Sequence, residues 1–470
     1  MAFYFYAFIK LSHKLSSARQ YHRFNPIKNA SLSLTTNNYS LKAYWFGSFP
    51  VYLIIKYKLL LIRLFHSKYL CAFALTFILC MNWTVSVAQY FDLQGNRKHV
   101  TIPFQMIRDL IVVRLNINNK GPFNFILDTG VGIMLITDPK LIDSINVINK
   151  RTIKILGLGE GDNFEAYATA ALKVDIPGLV SYDVGAAILK KDHFGLSNYA
   201  GMPIHGLLGY EFFSNLAVKI NFSDSTLSVS KPQYMRLFKK SDKIPLSIED
   251  RKAYLNAKVT LPNGAKTTDK LILDIGAGHP LSLENVIKKQ GLPKKFIAAN
   301  LGVGLTGPIE GFLSRVSEVE IGKFKLKNVI TSFPENSTTT LSVKRDGNLG
   351  LGILKRFTMI IDYPDSALYL KPEQDLNAPF EHDMSGLECY ANGDNYNRVF
   401  ISRVEPGSAG DEIGLEPGDE LVAINFKPVK DMTLEQIDAI FKSQDDRNLL
   451  LDVYHDKKLD RVIITLKRRI

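Results

Sequence analysis

Two Asp-x-Gly turns, Asp128-Thr129-Gly130 and Asp274-Ile275-Gly276, lie 146 residues apart. An Asp at the tip of a strand, followed by Gly, exposes its carboxylate on a tight turn. Two such carboxylates brought face to face at about 3 Å cannot both ionise, so they share one proton. The ionised member takes a proton from a bound water, and the neutral member donates to a substrate carbonyl oxygen. That chemistry hydrolyses a peptide bond with no covalent intermediate, metal or cofactor. Competing chemistry has little support. The nine His show no metal-ligand spacing, and no Gly-x-Ser-x-Gly pattern is present. Gly157-Leu-Gly-Glu-Gly161 lacks the βαβ surroundings of a dinucleotide site. His205 and His279 lie near the motifs and read as local hydrogen-bond partners.

The elements that must position the two carboxylates form an internal repeat over residues 100–372. Upstream of Asp128, Val113, Leu115 and Ile117 alternate with polar residues, and Asn119-Lys-Gly-Pro122 turns the chain into Phe123–Leu127. Upstream of Asp274, Leu255, Ala257 and Val259 alternate likewise, and Pro262-Asn-Gly264 leads into Leu271–Leu273. Period-two alternation broken by Gly, Pro and Asn predicts a β-hairpin, with each Asp just past its second strand. Glycine-rich turns follow at Gly157–Gly161 and Gly302-Val-Gly304. Later, Leu208-Gly209 precedes Phe213, Leu216 and Asn221, and Leu349-Gly350 precedes Leu354, Phe357 and Asp362, at offsets of 4, 7 and 12 in both copies. The first two offsets predict one helical turn between strands. Each copy closes with a strand ending in Lys-Pro, at Lys231-Pro232 and Lys371-Pro372.

Over residues 95–375 these landmarks resemble the bacterial two-lobed, retropepsin-like aspartic proteases. The resemblance implies a mainly β chain of two tandem acid-protease barrels, at 89–236 and 237–376. It implies Asp128 and Asp274 as the catalytic pair, supported by Thr129, Gly130 and Gly276. It makes Gly157, Gly159, Gly302 and Gly304 parts of flaps that close over a peptide or protein substrate. Leu207-Leu-Gly209 and Asn348-Leu-Gly350 match the apolar segments behind each catalytic turn, with Asn348 an imperfect fit. Family members carry Thr after both aspartates, where the hydroxyls brace the two loops. Ile275 cannot donate, so only Thr129 remains, and a weakly active or inactive peptide-binding scaffold is the alternative. With both lobes on one chain, a monomer suffices for the site.

Past the Asn377-Ala-Pro379 linker, residues 380–470 resemble a PDZ domain, most specifically in Gly414-Leu-Glu-Pro-Gly418-Asp419. The resemblance implies that backbone N–H groups of Ser385, Gly386 and Leu387 capture the C-terminal carboxylate of a peptide ligand, which adds a strand beside the next segment. The other reading is an appendage packed on the protease.

The formal charge of +12 does not mark a nucleic-acid partner. Residues 1–88 hold ten Lys and Arg and no Asp or Glu, leaving 48 basic against 46 acidic residues in the remainder. Lys68 flanks the apolar stretch Tyr69–Met81, and small residues stand at Ser86 and Ala88. This pattern predicts a signal peptide cleaved before Gln89, or a membrane anchor, and an exported, periplasmic or envelope-associated protein. Cys71 and Cys80 lie in this leader, so only Cys389 remains beyond it and no internal disulfide can close there.

Overall fold

The computed structural model describes residues 90–157, 164–304, 307–335 and 343–470, together with Ala7–Phe8. The rest of the leader, and with it the expected cleavage signal, lies outside the described residues, as does Gly159. Gln89–Ile470 falls within one compact unit.

Seven strands recur in each half. The first set is Leu110–Ile117, Lys120–Leu127, Met134–Ile136, Arg151–Gly157, Phe164–Ile176, Leu179–Leu189 and Gly206–Leu208. The second is Lys252–Thr260, Lys266–Leu273, Leu281–Leu283, Ile297–Gly304, Gly307–Ile321, Phe324–Pro334 and Gly347–Leu349. Their neighbour order is the same in both halves. In both, the long fifth strand also pairs back onto the first, which curls the sheet into a barrel. The hairpin alternation puts Val113, Leu115 and Ile117 inside the first barrel and Leu255, Ala257 and Val259 inside the second. The first hairpin turns more tightly than the sequence suggests. Asn118 and Asn119 both take positive φ, 49° and 64°, so they form the two-residue turn and Lys120 already belongs to the strand.

After each barrel a single helical turn, Tyr210–Phe213 or Leu351–Leu354, redirects the chain. The strands that follow build a third sheet shared by both halves. Its order is Ile244–Pro245, Ala367–Pro372, Phe357–Asp362, Ala217–Asn221, Thr226–Ser230 and His99–Pro103, three strands from each half. The centre is an antiparallel pair in which Val218 faces Ile361 and Ile220 faces Met359. One apolar core runs from both barrels into this sheet, so the lobes are welded by backbone pairing as well as by packing.

The third domain has a separate core and a five-strand path: Leu387–Asn392, Arg398–Val404, Glu420–Ile424, Asn448–His455 and Lys458–Thr465. Its helix Leu434–Phe441 starts at a capping box between Thr433 and Gln436. The segment before it is no slack linker. Arg356 Nη1 donates to Leu376 O at 3.0 Å and to Ala378 O at 2.5 Å, and its guanidinium lies 3.6 Å from the Phe380 ring centroid. Arg315 Nη2 donates to Phe380 O at 2.8 Å. Phe380 and Ile470 join the core of the lobes.

Candidate active site

Asp128 leaves the strand Lys120–Leu127 and Asp274 leaves Lys266–Leu273. Behind each turn runs a short parallel strand whose last carbonyl receives the aspartate N–H: Asp128 N to Leu208 O at 2.9 Å, and Asp274 N to Leu349 O at 3.0 Å. The glycine after each of these strands is required by contact. A Cβ on Gly209 would lie 2.1 Å from Val131 O, and one on Gly350 would lie 1.9 Å from His279 O. The repeated Leu-Gly pair is therefore a packing condition on the two Asp turns.

Both carboxyls are fully buried and meet at the lobe junction. Gly276 lies directly on Asp128: a Cβ there would sit 2.1 Å from Asp128 Cγ. Each carboxyl is held by the glycine of its own turn, Gly130 N to Asp128 Oδ1 at 2.7 Å and Gly276 N to Asp274 Oδ1 at 2.9 Å. Thr129 Oγ1 crosses the junction, donating to Leu273 O at 2.5 Å and accepting from Ile275 N at 3.1 Å. The Ile275 side chain is buried in the core and gives no reciprocal bond.

The pair is electrostatically lopsided. Burial pushes the Asp128 carboxyl well above the usual range, and the charge of Asp274 pushes it further. Burial raises Asp274 too, but the Asn348 amide and the Gly276 N–H favour its charged form. Asn348 Nδ2 donates to Asp274 Oδ2 at 2.6 Å. Asp128 Oδ2 has no hydrogen-bond donor among the described residues other than a shared carboxyl proton. Of the two, Asp274 is the one whose charged form the surroundings favour.

The sequence reading missed the cationic surroundings. Lys252, buried at the start of a strand, is pulled down to about 8 by burial and by Arg345, while Asp128 and Asp274 hold it up. Arg345 makes a buried pair with Glu284 at 2.7 Å, and its charge also favours ionised Asp274. No local pattern distinguishes these two residues from solvated ones. Tyr363, also buried, is raised by burial and by both aspartates. His279, buried next to Asn348, is depressed to about 3 by desolvation. His205 accepts Asn124 N at its Nδ1 at 3.1 Å.

The other expected site residues belong to elements other than the two Asp turns. Gly157 ends the strand Arg151–Gly157. Gly302 and Gly304 belong to a hairpin in which Gly304 pairs with Gly307. At the expected carboxylate-binding turn of the PDZ domain the N–H groups have partners within the chain. Ser385 N and Gly386 N donate to Asp383 Oδ1 at 3.0 and 2.7 Å, and Leu387 N donates to Ser385 Oγ at 3.1 Å. A carboxylate of the chain itself fills this turn.

Family comparison agrees with this geometry. A model described as aspartyl protease matches residues 113–212, which include Asp128, and a model described as PDZ domain matches 400–454. With the second lobe repeating the first, the fold defines a retropepsin-like protease architecture with a C-terminal PDZ domain. Caspase recruitment domain-containing protein 14 of Mus musculus is 47% identical over 38 residues, 8% of this chain. The chain spans 4% of that protein's length.

Proposed function

We propose that this chain is an aspartic endopeptidase. The observation that carries the reading is two buried carboxyls from equivalent turns meeting at the lobe junction, each held by its own glycine N–H. In the mechanism, Asp274 accepts a proton from a water held between the carboxyls, and the water oxygen attacks the scissile carbonyl carbon. Asp128 gives its proton to the carbonyl oxygen to form a diol, and protonated Asp274 gives its proton to the nitrogen. As the C–N bond breaks, one diol hydroxyl returns a proton to Asp128, leaving a carboxylic acid, a free amine and the singly protonated pair. Lys252 and Arg345 favour the single negative charge this cycle needs. The flaps read from the glycine-rich Gly157–Gly161 and Gly302–Gly304 close over the peptide, and the PDZ domain binds peptide or protein C-termini. The leader directs export to the periplasm or envelope.

The test is cleavage of an unfolded protein by the purified chain. Asp128→Asn and Asp274→Asn should each lower the rate by at least about 10³-fold, near the acid–base contribution seen in enzymes, with unchanged circular dichroism. Retained cleavage in either variant would overturn the dyad assignment, whereas no cleavage by the unaltered chain would favour the second reading, a peptide-binding scaffold, which Ile275 supports by leaving the lobe brace one-sided.

A further inference from the structure

A PDZ domain receives a peptide between an edge strand and a helix. The peptide pairs with the strand edge and its terminal carboxylate enters the turn before that strand. Here these are Leu387–Asn392, at the end of its sheet, and Leu434–Phe441. Both walls are already engaged by the first lobe. Arg108 Nη1 donates to Cys389 O at 2.9 Å, and Asn198 Nδ2 donates to Ala391 O at 2.9 Å. Arg108 also forks onto the helix, with Nε to Asp438 Oδ2 at 2.7 Å and Nη2 to Asp438 Oδ1 at 2.9 Å. Its side chain is 3% exposed and lies 4.3 Å from the Tyr199 ring centroid. Gly201 closes the end of the gap against Ala391 and Leu434.

The bolt is preformed. Arg108 and Asp109 take φ of 46° and 61° in the two-residue turn between the strands Gln105–Ile107 and Leu110–Ile117, so the guanidinium sits on a rigid hairpin tip. Asp109 Oδ1 binds Lys355 Nζ of the second lobe at 2.6 Å, fixing the tip from the other side. A planar fork on a carboxylate with an added carbonyl is the strong, oriented kind of cationic contact. Where Arg108 ends, a cavity of about 430 Å³ opens, bordered by Asp109, Gly386, Glu388 and His279. Through it an entering peptide terminus can reach the Asp383-filled turn.

We infer that the first lobe is the resident occupant of the PDZ groove, and that a peptide with a free C-terminal carboxylate binds only by displacing the Arg108 tip from the groove, its terminus then exchanging with the Asp383 carboxylate in the turn. The peptide needs the two strand carbonyls that Arg108 and Asn198 hold, so docking on the lobe and peptide capture exclude one another. Apparent peptide affinity is then the intrinsic affinity multiplied by the undocked fraction. This rests on the peptide-binding reading of the PDZ domain.

The test uses the full chain and two readouts. Small-angle scattering reports docking. Fluorescence anisotropy reports binding of a panel of labelled decapeptides with apolar last residues, each made with a free and with an amidated C-terminus. Arg108→Ala and Asp438→Asn break the bolt from opposite sides, so the argument does not depend on one variant folding. Both should show a larger radius of gyration and bind free-carboxylate peptides at least about tenfold more tightly than wild type. Arg108→Lys, which keeps the charge and loses the fork, should fall between, and amidated peptides should bind none of them. Equal affinity in wild type and folded variants overturns the inference, as does unchanged compactness. Variants that expand and still bind no peptide overturn the peptide-binding reading itself, leaving the docking intact.

Discussion

Asn348 donates its amide to Asp274 at 2.6 Å, whereas the matching position behind Asp128 is Leu207, which has no donor. The repeat places both residues in equivalent strands, so a near-symmetric scaffold carries one asymmetric hydrogen bond. That bond favours the charged form of Asp274, and Asp128 has no equivalent from Leu207.

Asn348→Leu restores the symmetry. Loss of a hydrogen bond to a charged group costs about 1.5–3 kcal/mol, and about 1.4 kcal/mol equals one pKa unit. The amide favours the ionised form, so its loss raises the pKa of Asp274. The acid limb of kcat/KM should move up by about one to two pH units. An unmoved limb would show that Asn348 does not set the division of roles.

Thr129→Val should strand two buried backbone groups, the Leu273 carbonyl and the Ile275 N–H. A buried group left without its partner costs about 1–3 kcal/mol, and Ile275 provides no second brace. Denaturant unfolding should show a loss of at least about 2 kcal/mol, with Thr129→Ser close to wild type.

Gly276→Ala would drive a methyl into the Asp128 carboxyl, with 2.1 Å to Cγ. The carboxyl must move by an ångström or so, a displacement that typically costs about 10²-fold in rate. Steady-state kinetics should show kcat falling by that order while far-ultraviolet dichroism is unchanged.

Asp128→Asn should alter stability as well as activity. The folded protein holds this carboxyl above its unfolded value. Its contribution is therefore fully present below the unfolded pKa and is lost as pH rises through the raised folded value. The melting temperature of the variant should match wild type near pH 4 and exceed it above neutrality. For a chain of this size each kcal/mol is worth at most roughly 2–4 °C. A constant difference across pH would contradict the burial account.

Much of the architecture was legible because its signals are local. The hairpin alternation before Asp128 and Asp274 and the Leu-Gly pairs each reflect a contact within a short segment, repeated once. The shared six-stranded sheet was not legible, because pairing of Val218 with Ile361 depends on segments that meet only after both lobes form. Lys252 and Arg345 gave no signal either, since burial and a neighbouring charge are properties of place and not of residue type. At the expected PDZ turn, the sequence could not show Asp383 folding back onto Ser385 and Gly386.

The sequence by itself determined that two equivalent Asp turns exist, that each closes a hairpin, and that a PDZ-like segment follows. The tertiary structure decided that the carboxyls meet, that Asn348 supports the charged form of Asp274, and that Arg108 spans the PDZ groove. The physical reason is range. Strand period, turn residues and close-packed glycines act over a few positions, whereas a shared proton and a bidentate ion pair across 330 residues exist only where distant segments are packed together and shielded from water.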